Sequence, residues 1–392
     1  MIAGFLVWRP LNSICTILFG INALRSIHPK EWIKQKWWLL GVCWVGMYAL
    51  TYFWSTDIYS WHERFDTKLP VLLLPLGFAF LPRFSIKQLQ IFTVAVSLMM
   101  LAGAAYSAYF FVQSSSYYIN EYGQSQVLPT PVENDHICFS IGIAVVVAWC
   151  VSIFPYLVSK AVRWLAVVTI VLLSVFLHLL AAKSGLVAWY VFVLGWCIYV
   201  AIRKNKLVGI GMIVAGVLFV VAAFRYVPTF RNKIGYVEYT YGLYKSGSRT
   251  GDYSDMGRVI SYDIAVKLIK EHPWGGVGAG DILEAMKGGY DRWYPQVKEE
   301  QRLFPHNQFL TIALGCGLPA VLLFIAWLLY PLVYVPKTRA GIFFIITWCM
   351  LLVPLLVEPF LEIQFGVFVY LFFVLWQRQL AIKELEPEPA VQ

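Results

Sequence analysis

The stretch KAVRWLAVVTIVLLSVFLHLLAAKSGLVAWYVFVLGWCIYVAIRKNK, residues 160–206, decides the fold. It holds two apolar runs, 161–182 and 184–202, with a single cation, Lys183, between them. Each run has the roughly 20 residues that a helix needs to cross the hydrocarbon of a bilayer. Lys160 and Arg163 stand at one end, and Arg203, Lys204 and Lys206 at the other. A helical hairpin brings both basic ends to one side of a membrane and leaves Lys183 on the opposite side.

The same pattern continues outward. Further apolar runs lie near 4–24, 37–54, 67–81, 88–112, 136–154, 206–224, 306–334, 340–357 and 363–380, giving eleven candidate spans in all. The first could instead be a tight hairpin, which would make twelve. Of the 392 residues, 59% are hydrophobic, 17% aromatic and only 14% charged, and the mean hydropathy is +0.66. Soluble domains carry about 25% charged residues. Here the charge is too sparse to coat a globule, so apolar surface must face lipid. The expected fold is an all-α polytopic membrane protein with about 11–12 transmembrane helices and one large, partly helical extracytoplasmic loop.

Short cytoplasmic loops collect lysine and arginine. One set of alternate loops holds Arg25, Lys30, Lys34 and Lys36, then Arg83 and Lys87, Lys160 and Arg163, Arg203, Lys204 and Lys206, and Lys337 and Arg339; the tail adds Arg378 and Lys383. The loops 55–66, 113–135 and 358–362 are poor in positive charge. The basic side is therefore cytoplasmic, and 224–305 lies outside. The net charge of +9 reflects this topology and gives no reason to expect a nucleic-acid partner. The expected division is 1–223 N-terminal transmembrane helices, 224–305 extracytoplasmic loop, which the resemblance given below makes periplasmic, 306–380 C-terminal transmembrane helices, and 381–392 a cytoplasmic tail ending in the disordered ELEPEPAVQ. The seven cysteines lie in or beside apolar runs, and no CxxC or HExxH spacing occurs, so neither a disulfide framework nor a zinc site is expected. Arg9-Pro10 interrupts the first run, unlike a clean signal peptide.

The loop is rich in tyrosine, at 226, 236, 239, 241, 244, 253, 262, 290 and 294. Such density suits either an interfacial aromatic belt or rings that stack on sugars. Within it, 256–271 has helical period, with Ile260, Ile264 and Leu268 on one stripe. Arg258 falls in the first turn of that helix, where the dipole favours acids. It reads as a solvated arginine or a functional cation. The turn HPWGGVGAGD, 272–281, has no preceding strand, so it fits a helix-ending turn with close backbone packing better than a dinucleotide fingerprint.

Three sets of residues sit at membrane edges. Lys183 is costly within a span and marks either a functional site or a snorkelling side chain. In RLFPHNQFL, 302–310, Pro305 suits a first helical turn. His306 and Asn307 then lie at the outer mouth of a span, as an interfacial histidine or a catalytic one. Glu358 and Glu362, in VEPFLEIQFG, either pair with the outer cations or mark helix ends.

Three segments together resemble the O-antigen ligase and polymerase family of bacterial membrane glycosyltransferases, the ligase branch most. They are GRVISYDIAVKLIKEHPWGGVGAGD at 257–281, PHNQFL at 305–310 and AAKSGLVA at 181–188. The layout of many helices with one large outer loop in the second half is also similar. The resemblance implies a glycan donor on undecaprenyl diphosphate, transfer en bloc at the periplasmic face of the bacterial inner membrane, and a lipid A core acceptor for a ligase. For a polymerase the acceptor is a second lipid-linked repeat. It implies His306 as the base that activates the acceptor hydroxyl and Arg258 as a cation on the donor diphosphate. Lys183 stands where the family usually has arginine beside serine; a one-residue shift would set Ser184 there instead. Asn307 and Glu358 complete the expected substrate-binding set. Imidazole titrates near about 6.5 and so serves as a base at neutral pH, a role worth ~10²–10⁴-fold. No acidic metal motif stands out, so a metal-independent, inverting reaction with no cofactor is expected. A transporter of lipid-linked glycan is the alternative of another class, but no inverted repeat or paired broken helices support it.

Overall fold

The computed structural model describes residues 9–24, 36–81, 84–121, 128–131, 135–228 and 254–382, with Gly4 and a few isolated positions between 231 and 242. Tyr236, Tyr239, Tyr241, Tyr244 and Tyr253, the loop cations Arg25, Lys30, Lys34 and Arg83, and the tail from Lys383 lie outside the described residues. Among the described residues there is no strand. The helices are α1 (Arg9–Leu24), α2 (Lys36–Leu50), α3 (Ile58–Lys68), α4 (Pro70–Ala79), α5 (Ile86–Gln113), α6 (Ser115–Glu121), α7 (His136–Ile153) and α8 (Lys160–Leu180). They continue with α9 (Lys183–Arg203), α10 (Lys206–Tyr226), α11 (Ser254–Glu271), α12 (Ile282–Trp293), α13 (Gln308–Cys316), α14 (Leu318–Leu329), α15 (Arg339–Val357) and α16 (Gln364–Ile382).

Seven stretches among the described residues are long and apolar enough to cross a membrane: α5, α7 with its C-terminal turn, α8, α9, α10, α15 and α16. The starts follow capping chemistry, in which a side-chain oxygen accepts a first-turn N–H. Ser85 and Gln88 form a reciprocal capping box on α5. Asp135, Asn205 and Thr338 cap α7, α10 and α15. α7 is apolar all round and buried all round, as a central helix must be. α10 is equally apolar but largely exposed, a face that suits lipid. α9 packs antiparallel on α15: Tyr199 lies 5.5 Å from the Phe343 ring, and Gly195 sits beside Ile346.

The other four apolar runs fold differently. The first gives α1, with a short apolar core at Pro10–Asn22. The second gives α2, which tightens into a 3₁₀ turn at Thr51–Phe53. The third gives only the ten residues of α4, after Lys68. The run 306–334 breaks at Gly317, whose φ is +83°. A Cβ at Gly317 would lie 2.1 Å from the Trp274 carbonyl oxygen. The reason for the break lies in the glycine-rich turn. Val277 and Gly278 donate backbone N–H groups to the carbonyls of Leu314 and Gly315, at 2.8 and 3.1 Å, and Leu318 donates to Pro273. Carbonyls at a helix end need such partners. The turn 272–281 therefore ends α11 and docks backbone to backbone on the end of α13. Its last residue, Asp281, accepts the backbone N–H groups of Thr56 and Asp57, which ties the α2–α3 turn to it.

A second, smaller core fixes α11 over the end of the bundle. The stripe Ile260, Ile264 and Leu268 is buried against Ile282, Met286 and Tyr290 of α12 and Ala313 and Leu314 of α13. This packing sets the first turns of α11, and Arg258 with them, above the mouth of α13.

Candidate functional site

The site forms where α13 begins and α15 ends. Asn307 caps α13: its Oδ1 accepts the N–H groups of Phe309 and Leu310, and its Nδ2 donates to the Leu356 carbonyl at 2.8 Å. His306 precedes that cap, in a bend of the chain. Across from it, α15 stops at Val357, and Glu358 turns its carboxylate inward with only 5% of the side chain exposed. A buried carboxylate is costly unless its oxygens are bonded. Here both are: Oε1 accepts Arg258 Nη2 at 2.5 Å and Oε2 accepts His306 Nδ1 at 2.7 Å.

The geometry assigns the imidazole tautomer. An ionised carboxylate only accepts, so Nδ1 carries a proton, and in the neutral form of the ring the lone pair is on Nε2. Tyr262, one helical turn after Arg258, donates its hydroxyl to the His306 carbonyl at 2.6 Å. Burial pushes the Tyr262 phenol above its ordinary value, so it stays protonated and donating. The side chains of Arg258 and His306 are 24% and 23% exposed, so both reach solvent from either side of a buried anion.

A second charged centre lies one short turn further on. Glu362 Oε1 accepts Lys68 Nζ at 2.9 Å, Gln308 Nε2 at 2.8 Å and the Tyr48 hydroxyl at 3.0 Å. Its Oε2 faces Arg64 Nη1 at 3.4 Å. Burial alone would raise this carboxyl; Lys68 and Arg64 outweigh burial and hold it below the usual range. Lys68 is fully buried and also donates to the Leu361 carbonyl at 2.7 Å.

Lys183 opens α9, just after Ala181 in the left-handed region. The antiparallel register of α9 on α15, read from Tyr199–Phe343 and Gly195–Ile346, carries Lys183 to the level of Glu358. The structure thus brings Arg258, His306, Asn307 and Glu358 into one bonded set and places Lys183 at the same end of the bundle. Asn307 and Glu358 are both engaged within the protein, as cap and clasp. Sequence reasoning did not single out Tyr262, Gln308, Arg64 or Lys68. Lys68 had the same signal as Lys183, a lone cation at the edge of an apolar run. Arg64 sat in a loop read only as poor in positive charge. Among the described residues, no three His, Cys, Asp or Glu side chains converge as metal ligands would.

A bundle of long apolar helices with acid, base and cation gathered at helix ends is a multi-pass membrane protein with a polar site at one end. Residues 168–325 match the family model described as O-antigen ligase, which supports the O-antigen ligase/polymerase family for this chain. Its members are membrane glycosyltransferase-like enzymes, ligases and polymerases. The matched stretch contains Lys183, Arg258, His306 and Asn307, while Glu358 and Glu362 lie beyond it. No curated protein matches the chain.

Proposed function

We propose that this protein is a ligase that moves a glycan from undecaprenyl diphosphate to a lipid A core at the periplasmic face of the bacterial inner membrane. The observation that carries the reading is the His306–Glu358–Arg258 set, held at a helix mouth. The donor is already activated, since a lipid diphosphate is a good leaving group. The enzyme has to hold that group at the membrane edge and take a proton from a sugar hydroxyl. His306 Nε2 accepts the proton as the acceptor oxygen bonds to the anomeric carbon. The bond from that carbon to the diphosphate oxygen breaks, its electron pair leaves with undecaprenyl diphosphate, and the configuration inverts.

Arg258 and Lys183 neutralise charge on the departing phosphate, where fixed cations act most strongly. Arg258 gives one Nη to Glu358 and keeps the remaining N–H donors of its fork for phosphate. Lys183 acts as a point charge, without the bidentate geometry of arginine. Glu358 holds both partners in register, and Asn307 fixes the mouth that the substrates enter. The described end of the 224–305 loop, outside the membrane in this reading, carries Arg258 to the site on α11. No metal or cofactor takes part.

The test is a transfer assay with the full chain in lipid, given undecaprenyl-diphosphate-linked glycan and one of two acceptors. Product on lipid A core, lost in His306→Ala and Arg258→Ala, is expected. Longer lipid-linked chains instead would make the protein a polymerase with the same chemistry. No product on either acceptor would overturn the proposal, and loss of turnover in EDTA restored by Mg²⁺ would overturn its metal independence.

A further inference from the structure

Two segments lie side by side at the site, and three successive residues of one bond to the other. His306 meets Glu358, Asn307 meets Leu356, and Gln308 meets Leu361 and Glu362. The Gln308 amide is fully buried and bonded at both ends: Nε2 donates to Glu362 Oε1, and Oε1 accepts the Leu361 N–H at 2.6 Å. Glu362 is itself locked by Lys68 from α3 and Tyr48 from α2. Three elements, α2, α3 and α13, thus converge on the Glu362 carboxylate, α13 through a residue two along the chain from the histidine.

This arrangement is expensive for a fold. Two cations share one buried anion, and apolar residues of similar volume would fill such a space at lower cost. Arg64 and Glu362 also line an open cavity of about 530 Å³. The cluster is therefore part of the wall of a chamber rather than closed core. Its rigid link to His306 gives it a use: a ring held within a fraction of an ångström of its reactive pose.

We propose that Glu362, its buried charge balanced by Lys68, is a positioning residue that fixes the orientation and tautomer of His306 by accepting the Gln308 amide and setting the Pro359–Glu362 turn. This rests on the reading of His306 as the base. The pair touches no substrate. It sets where Leu361 and Gln308 sit, and those set the spacing between His306 and Glu358. A displacement of about 1 Å in such a group costs about 10²-fold in rate.

The test uses the full chain in lipid with ¹⁵N-labelled histidine, the His306 signals being assigned by their loss in His306→Gln. Wild type should show Nδ1 protonated and Nε2 bare. Gln308→Ala should move the ring toward a tautomer average and lower kcat by about 10²-fold with KM unchanged. Gln308→Met, of similar volume, serves if the alanine variant does not fold. Glu362→Ala should disturb the ring in the same way. The double variant Lys68→Met, Glu362→Gln, which removes both charges but keeps an acceptor for Gln308, should retain the wild-type signals. Unmoved ring signals in both Gln308 variants and in Glu362→Ala would overturn the proposal. The ring signature needs no substrate. A ring that responds as expected in a chain that transfers nothing would sink the glycosyltransferase reading alone. Normal transfer with an unmoved ring would sink only the positioning role.

Discussion

Replacing Glu358 by glutamine tests the site at its centre. The variant keeps the volume but offers one carbonyl oxygen and one NH₂ where the wild type offers two acceptors. Arg258 Nη2 at 2.5 Å and His306 Nδ1 at 2.7 Å are both donors, so one of them must face the new NH₂. One charge-assisted hydrogen bond is lost, worth about 1.5–3 kcal/mol. The low end applies, because Arg258 is 24% exposed and water screens it. The effect on rate has a different ceiling. If Glu358 acts by holding Nδ1–H, its loss cannot exceed the ~10²–10⁴-fold that the base itself contributes. Glu358→Gln should therefore lower kcat by roughly 10²-fold in the reconstituted transfer assay, with a modest fall in the thermal midpoint. The double variant with His306→Gln should be no slower than His306→Gln alone, since residues that work as a unit are not additive. Multiplying losses in the double variant, or full turnover in Glu358→Gln, would refute the coupling.

Other consequences follow from the same geometry. Arg258→Lys keeps the charge but loses the planar fork, so KM for the lipid diphosphate should rise about tenfold, or 1.4 kcal/mol; an unchanged KM would remove Arg258 from the donor site. Lys183→Arg should retain turnover and Lys183→Ala should lose it, and equal activity in both would show that no cation is needed there. Glu362 titrates below its unfolded value of about 4.3, so its contribution to stability is complete above that pH and is lost as the pH falls through the lower folded value. The thermal midpoint should drop on acidification below about pH 4.3, and Glu362→Gln should flatten that part of the curve; an identical slope would show the carboxylate is not held there. Gly317→Ala forces a side chain into the left-handed region, at about 1–2 kcal/mol, and against the Trp274 carbonyl. It should unfold well below Gly216→Ala, where a Cβ meets nothing within 4 Å.

Much of the fold was legible because membrane spans are written in long runs. All seven of the long helices fall on apolar runs, with boundaries close to the observed caps. The run 306–334 was misleading because hydropathy measures only the preference for leaving water, which α13, the break at Gly317 and α14 all share. What ends α13 is a hydrogen-bond acceptor problem, solved by N–H groups from 277 and 278, some forty residues earlier in the chain. Periodicity within one segment cannot carry that partnership. The stripe Ile260, Ile264 and Leu268 was readable because a helix of a small polar layer still buries one face.

The site was legible in proportion to how unusual each residue is in its surroundings. A histidine or a lysine beside twenty apolar residues stands out, and His306 and Lys183 were found that way. Arg258, in a polar loop, stands out only weakly. Its place was set by the resemblance and then by its 2.5 Å contact with Glu358. Gln308 is a neutral residue in a helical turn and carries no signal, yet it joins the two charged centres. What such a residue does depends on which carboxylate lies opposite, and that follows from the meeting of α13 with the turn after α15. The acids at 358 and 362 were visible as a pair in one turn. Their division of labour, one clasping the half-buried histidine and arginine and the other paired with the fully buried Lys68, is set by which elements pack opposite each. A linear sequence records the spacing of two carboxylates; the difference in their partners arises only when the helices pack.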